Sequence, residues 1–178
     1  MAGLFNLVAS GDYRLMRRLN RWSAPRWFRL WMICATRGGD GWVWYGLGLV
    51  LLVLGGHAGQ VAALAMILAG AISITSFLWI KRVAKRRRPC HIEPHCWAQL
   101  LPPDQFSFPS GHTMTAFAVA VPVVALFPHL MLAVYFAAVS IALSRIALGM
   151  HFLSDVLAGA LIGSAVGYSV LSLVLPLL

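Results

Sequence analysis

Charge is what this sequence has least of. Only 11% of its 178 residues are Asp, Glu, Lys or Arg, and just five of them are acidic. Set beside 60% hydrophobic residues and a mean hydropathy of +0.80, that scarcity excludes a soluble domain of this length. Repeats and low-complexity tracts are absent as well, so no repeat architecture is expected. A cleavable signal peptide is not expected either, because the first apolar run (residues 4–9) is short and an Arg-rich segment follows it instead of small residues. What remains is one all-α membrane domain over residues 1–178, a polytopic helical bundle. In lipid every backbone polar group has to be satisfied internally, and helices do this within one segment.

Five apolar runs supply the bundle: residues 41–56, 59–80, 113–127, 130–148 and 152–178. A Gly-rich turn separates the first two, which predicts an antiparallel pair, and Pro128 marks the turn after the third. The third contains Pro122, which a spanning helix tolerates when neighbours satisfy the freed carbonyl. Ahead of the spans, residues 1–37 form a basic segment. Within it, residues 12–29 interleave Arg14, Arg17, Arg18, Arg21, Arg26 and Arg29 with Leu15, Leu19, Trp22, Trp27 and Phe28, the pattern of an amphipathic helix lying among lipid headgroups. Residues 27–36 are apolar enough to dip into the bilayer, although Arg26, Arg29 and Arg37 oppose a full span. The one long polar loop is 81–112; Pro89, Pro94, Pro102, Pro103 and Pro109 rule out a continuous helix there.

Three stretches stand out against this apolar background: KRVAKRRRP at 81–89, PSGH at 109–112 and SRIALGMHFLSD at 144–155. With five spans, the loop between the second and third and the loop between the fourth and fifth fall on one side, so topology brings all three together. Lys81, Arg88 and Arg145 suit the charge of a phosphate, and an arginine fork can hold two of its oxygens. For Lys85, Arg86 and Arg87 a topogenic or lipid-attracting patch is an equal alternative. For Arg145 that alternative is weak, because it is flanked by apolar residues where an unpaired guanidinium is costly. Ser110 and Gly111 stand where an extended loop turns into a helix, a place that offers free backbone N–H groups to an anion, while Ser110 also suits an N-cap. His112 follows on the first turn. His151 and Asp155 are spaced i, i+4, so the carboxylate is expected to accept an imidazole N–H and leave the other nitrogen free to attack; the alternative is a structural cap.

The pattern Lys81-x6-Arg88-Pro89, Pro109-Ser110-Gly111-His112 and Ser144-Arg145-x5-His151-x3-Asp155 resembles the type 2 phosphatidic acid phosphatase (PAP2) superfamily, over roughly residues 40–175. The resemblance implies a lipid phosphatase in which His151 attacks phosphorus to form a phosphohistidine, Asp155 orients it and His112 protonates the leaving oxygen. Lys81, Arg88, Arg145, Ser110 and Gly111 would hold the phosphoryl oxygens. No cofactor and no metal is implied, since fixed cations take over the charge; of the five carboxylates only Asp155 lies in a motif. The expected partners are a phosphorylated lipid substrate and membrane lipids, with no nucleic acid. Phosphatidic acid, phosphatidylglycerophosphate, lipid A phosphates and polyprenyl (di)phosphates all fit, because the motifs hold the phosphoryl group and not the lipid. The family bundle usually has six elements, so the Arg-rich N-terminal helix would be the sixth.

A multi-pass protein of a bacterial-type inner membrane follows, and its sidedness divides the indications. All fourteen Lys and Arg residues fall on the motif side of this topology, which by positive-inside counting is cytoplasmic, whereas many bacterial members of the family open to the periplasm. Cys90, His91, His95 and Cys96 admit a zinc site, a disulfide between the cysteines, or two free thiols. Two rival functions use the same features. A lipid phosphotransferase would pass the phosphoryl group to a second lipid, and a non-catalytic transporter or scaffold would carry intramembrane charge with no need of His112, His151 and Asp155 together.

Overall fold

The structure, a computed structural model, describes residues 2–93 and 104–178, with side-chain surroundings from residue 7 onward. Helix α1 (Ala2–Arg21) and helix α2 (Arg26–Arg37) replace the single amphipathic helix expected over 12–29. The break falls just before α2 because Pro25 holds an extended backbone at its N-terminal boundary. From α2 the chain passes through one wide helical turn, Gly38–Trp42, into α3 (Val43–Leu54). Gly41 has φ 121° in that turn, a conformation side chains rarely adopt.

The next corner is tight for a comparable reason. Gly56 has φ 59°, and a Cβ on Gly59 would lie 2.0 Å from the carbonyl oxygen of Leu51, so α3 and α4 (Gly56–Ala84) meet almost backbone to backbone. Helix α5 (Gly111–Leu126) carries Pro122, α6 (Met131–Ala147) returns, and α7 (Leu153–Val174) completes the bundle. These five helices match the five expected runs. By length and apolarity α4, α6 with its leading turn, and α7 are sufficient to cross a membrane, and α5 is a shorter apolar helix. Among the described residues no named strand occurs; Arg87 and Phe106 form one isolated bridge.

Small residues set the packing. On α7, Gly159, Gly163 and Gly167 face α5 so closely that a Cβ would lie 2.8, 2.2 and 2.6 Å from the carbonyl oxygens of Ser110, Met114 and Ala118. Close approach of this kind is how helices associate in lipid, where no hydrophobic force between them is available. A second core joins Trp44, Met66, Val119, Val123 and Ile141 from α3 to α6. Leu54, Ile67, Leu132 and Leu161 point outward and stay exposed, an apolar surface suited to lipid tails. Helix α2 lies against α6, with Trp31 stacked on Phe136. At about 1.5 Å per residue, the 29 residues of α4 exceed a hydrocarbon core of about 30 Å. The last turn, with Lys81, therefore rises toward the headgroups.

Candidate active site

His151 lies in the short connection between α6 and α7, folded back by two hydrogen bonds: the N–H groups of Met150 and His151 both donate to the Arg145 carbonyl, at 3.0 Å each. The ring is 2% exposed. Its Nδ1 lies 2.6 Å from the carbonyl oxygen of Ser107, and Arg88 Nη1 lies 3.0 Å from Nε2. A carbonyl only accepts and a guanidinium only donates, so Nδ1 carries the proton and Nε2 keeps its lone pair. Burial first, and then the charges of Arg145, Arg88 and Lys81, holds this histidine well below the ordinary imidazole value.

This corrects the expected partner of the imidazole N–H. Asp155 Oδ2 is 3.8 Å from Nδ1, beyond hydrogen-bond distance, and the proton goes to the Ser107 carbonyl instead. The carboxylate spends its bonds elsewhere: Oδ2 accepts the Phe152 N–H at 2.8 Å, closing the first turn of α7, and Oδ1 accepts Arg86 Nη1 at 2.7 Å. Arg86 reaches on to Asp12 of α1 at 2.7 Å and lies over the Phe152 ring at 4.2 Å. Asp12 also accepts the Ser154 N–H and hydroxyl. A carboxylate, guanidinium and carboxylate chain thus ties α1 to the start of α7. In the basic run, Lys85 and Arg87 face outward and Arg86 turns inward, so the patch reading does not hold for Arg86.

Lys81, Arg88 and Arg145 are all buried, and with His112 and His151 they lie close enough to act on one another's charge. Asp104 bridges two of the cations, with Oδ2 2.6 Å from Lys81 Nζ and Oδ1 2.7 Å from Arg88 Nη2. Burial pushes Asp104 up, but the hydrogen bonds and charge of Lys81 and Arg88 outweigh it and leave the carboxyl below its ordinary value. Arg145 donates to the Thr36 hydroxyl, while its buried Nε has no partner among the described residues. A buried guanidinium N–H beside other cations can donate to an anion's oxygen.

Gly111 opens α5, where the first N–H groups have no carbonyl within the helix to bind. A Cβ there would press on the Phe77 ring at 3.0 Å, so α4 and α5 meet closely at this end. Ser110 stands at the N-cap position, but its hydroxyl pairs with the Thr113 hydroxyl at 2.9 Å and caps no backbone N–H. His112 Nε2 lies 2.8 Å from Asp40 Oδ1 in the wide turn ahead of α3. Cys90 carries a free thiol whose pKa is raised by burial. The zinc and disulfide readings need His95 and Cys96, which lie outside the described residues.

Every residue singled out from the three motifs is therefore found at one end of the bundle. Sequence reasoning missed Asp12, Asp40, Asp104 and the Ser107 carbonyl. The scarcity of acids was the available signal: in a chain with five carboxylates, Asp12, Asp40, Asp104 and Asp155 all pair with a cation or a histidine of this region.

Against known proteins, the PAP2 superfamily model matches residues 60–177. The chain belongs to the PAP2 superfamily. It is 35% identical over 131 residues to a decaprenylphosphoryl-5-phosphoribose phosphatase of Mycobacterium tuberculosis, a match covering 68% of this chain and 64% of that relative. The chain thus spans somewhat less than two thirds of the relative's length. A transmembrane PAP2-type phosphatidylglycerolphosphate phosphatase from Bacillus subtilis superposes with a TM-score of 0.73 at 25% identity, covering 94% of this chain and 86% of the other. LpxE from Aquifex aeolicus gives 0.70 at 27% identity, over 90% and 94% of the two chains. The apolar helices and these membrane neighbours make this PAP2 chain a multi-pass membrane protein.

Proposed function

We propose that this PAP2 chain is a membrane lipid phosphatase that removes a phosphoryl group from a lipid phosphomonoester or diphosphate through a phosphohistidine. One observation carries the reading. The lone pair of His151 Nε2 is directed to the cation cluster in which, among the described residues, Arg145 Nε has no partner.

The substrate's phosphoryl oxygens displace Asp104 from Lys81 and Arg88 and fill the open position on Arg145, with the start of α5 at Ser110 and Gly111 adding backbone N–H groups. His151 Nε2 attacks phosphorus in line with the leaving oxygen while Ser107 keeps the Nδ1 proton. His112 protonates the leaving oxygen and then takes a proton from the water that releases phosphate. Asp155 acts through position and charge: it caps α7 and holds Arg86. The cations stabilise charge that spreads over the equatorial oxygens in the transition state.

Lipid substrates suit a site at the headgroup end of a bundle whose flanks are apolar, and two of the named relatives are a decaprenylphosphoryl-5-phosphoribose phosphatase and a phosphatidylglycerolphosphate phosphatase. A site on the cytoplasmic face of the membrane is supported by the cation distribution. The test is phosphate release by detergent-purified protein in EDTA from phosphatidic acid, phosphatidylglycerophosphate, lipid A and a polyprenyl diphosphate. At least one should be hydrolysed, and His151→Ala should lower turnover by at least about a thousandfold, the scale expected for losing a nucleophile. Release that survives in His151→Ala would sink the mechanism. Transfer to a second lipid without free phosphate would replace the hydrolase by a transferase.

A further inference from the structure

Asp40 lies outside all three motifs, 72 positions from the histidine whose ring it contacts. The turn that carries it is shaped for that contact. Gly41 at φ 121° lets the chain kink between α2 and α3, and at Gly39 a Cβ would come within 2.8 Å of Ile141 and 3.2 Å of the His112 ring carbon Cδ2. Glycine at 39 and 41 is what lets the turn settle onto the imidazole. Arg37, at 4.0 Å from the other carboxylate oxygen, is the nearest competing ion pair and is too long to hold Asp40 away from the ring.

We propose that Asp40 is the positioning residue of the leaving-group acid, holding the Nε2 proton of His112 so that Nδ1 is the nitrogen that transfers a proton to the substrate. An ionised carboxylate only accepts, so Nε2 is the donor in this pair. The proton count closes. In the first half-reaction the imidazolium keeps Nε2–H on Asp40 and gives its Nδ1 proton to the leaving oxygen as the P–O bond breaks and the P–N bond to His151 forms. The ring is left as the neutral Nε2–H tautomer, already held by Asp40. In the second, water attacks phosphorus, its proton passes to Nδ1 and the P–N bond breaks, which restores the imidazolium. Asp40 never touches phosphorus and sits 43% exposed at the rim. Asp40 has this role only if His112 is the leaving-group acid, the reading proposed above.

The experiment compares kcat and KM of wild type, Asp40→Asn, Asp40→Glu, His112→Ala and the double Asp40→Asn/His112→Ala variant in the full chain. Two substrates are used: the lipid phosphomonoester released fastest in the panel above, whose alkoxide needs a proton, and p-nitrophenyl phosphate, whose phenolate needs little. General-acid assistance is typically worth a factor of about 10² to 10⁴. Asp40→Asn should therefore lower kcat on the lipid at least about tenfold with KM nearly unchanged, cost much less on the aryl ester, and add nothing to His112→Ala. Asp40→Glu should recover part of the loss, and it decides the case if Asp40→Asn melts early. Equal losses on both substrates, a loss confined to KM, or an additive loss in the double variant would overturn the role of Asp40. Should His112→Ala itself be indifferent to the leaving group, the reading of His112 fails and takes Asp40 with it. A leaving-group effect in His112→Ala but not in Asp40→Asn removes Asp40 alone.

Discussion

At the scale of single residues, His151 depends on partners that its own motif does not contain. Spacing alone pointed to Asp155 as acceptor of the ring proton, and a turn of helix does bring the two within 3.8 Å. A main-chain oxygen at Ser107 is closer by more than an ångström and takes the bond. No reading of residue types finds such a partner, since every residue has a carbonyl. The consequence for pH runs in one direction. Burial and three neighbouring cations disfavour the protonated ring, so the neutral nucleophile persists as pH falls through the ordinary value of about 6.5. The acid limb of kcat/KM for p-nitrophenyl phosphate should accordingly lie well below that value. A limb at the ordinary histidine value would mean that the ring titrates as if solvated.

At the scale of elements, the site depends on two helix contacts. The first is the glycine face of α7 against α5, which brings the loop of His151 to the start of α5; the Ser110 N–H bonds the Asp155 carbonyl at 3.1 Å across it. Gly163 has the least room. Gly163→Ala should destabilise the protein by about 1–3 kcal/mol, the usual cost of overpacking, read as an earlier thermal melt in detergent. Gly70→Ala, on a helix face with nothing within 4 Å, is the matched control and should melt like wild type; equal melting of the two variants would contradict the close packing. The second contact is the Asp12, Arg86 and Asp155 chain, which makes α1 part of the site's support. An amphipathic basic helix was legible in the sequence, but its inward acid was not, because Asp12 reads as one more polar residue until α7 is seen behind it.

At the scale of the whole molecule, charge and chemistry share one end. The turn at 55–60 and the turn at 127–130 contain no Lys or Arg, and with Lys81, Arg88 and Arg145 discounted eleven cations remain on the site's side. Positive-inside counting then predicts a cytoplasmic site. In a cysteine-free background, Gln60→Cys should be labelled by an impermeant maleimide added to intact cells, since residue 60 is exposed at the opposite end. Labelling only after lysis would turn the molecule over. Much of this architecture was determined by the sequence by itself: the membrane class, five apolar helices and three motifs brought to one end. Each of these follows from local composition and the period of a helix, which are properties of consecutive residues. Tertiary structure alone decided which carboxylate meets which cation, which nitrogen of His151 carries no proton, and that Asp40 and Asp104 enter the site. Those pairings join residues far apart in the chain, and the close approach of helix backbones that creates them depends on contacts no local pattern encodes.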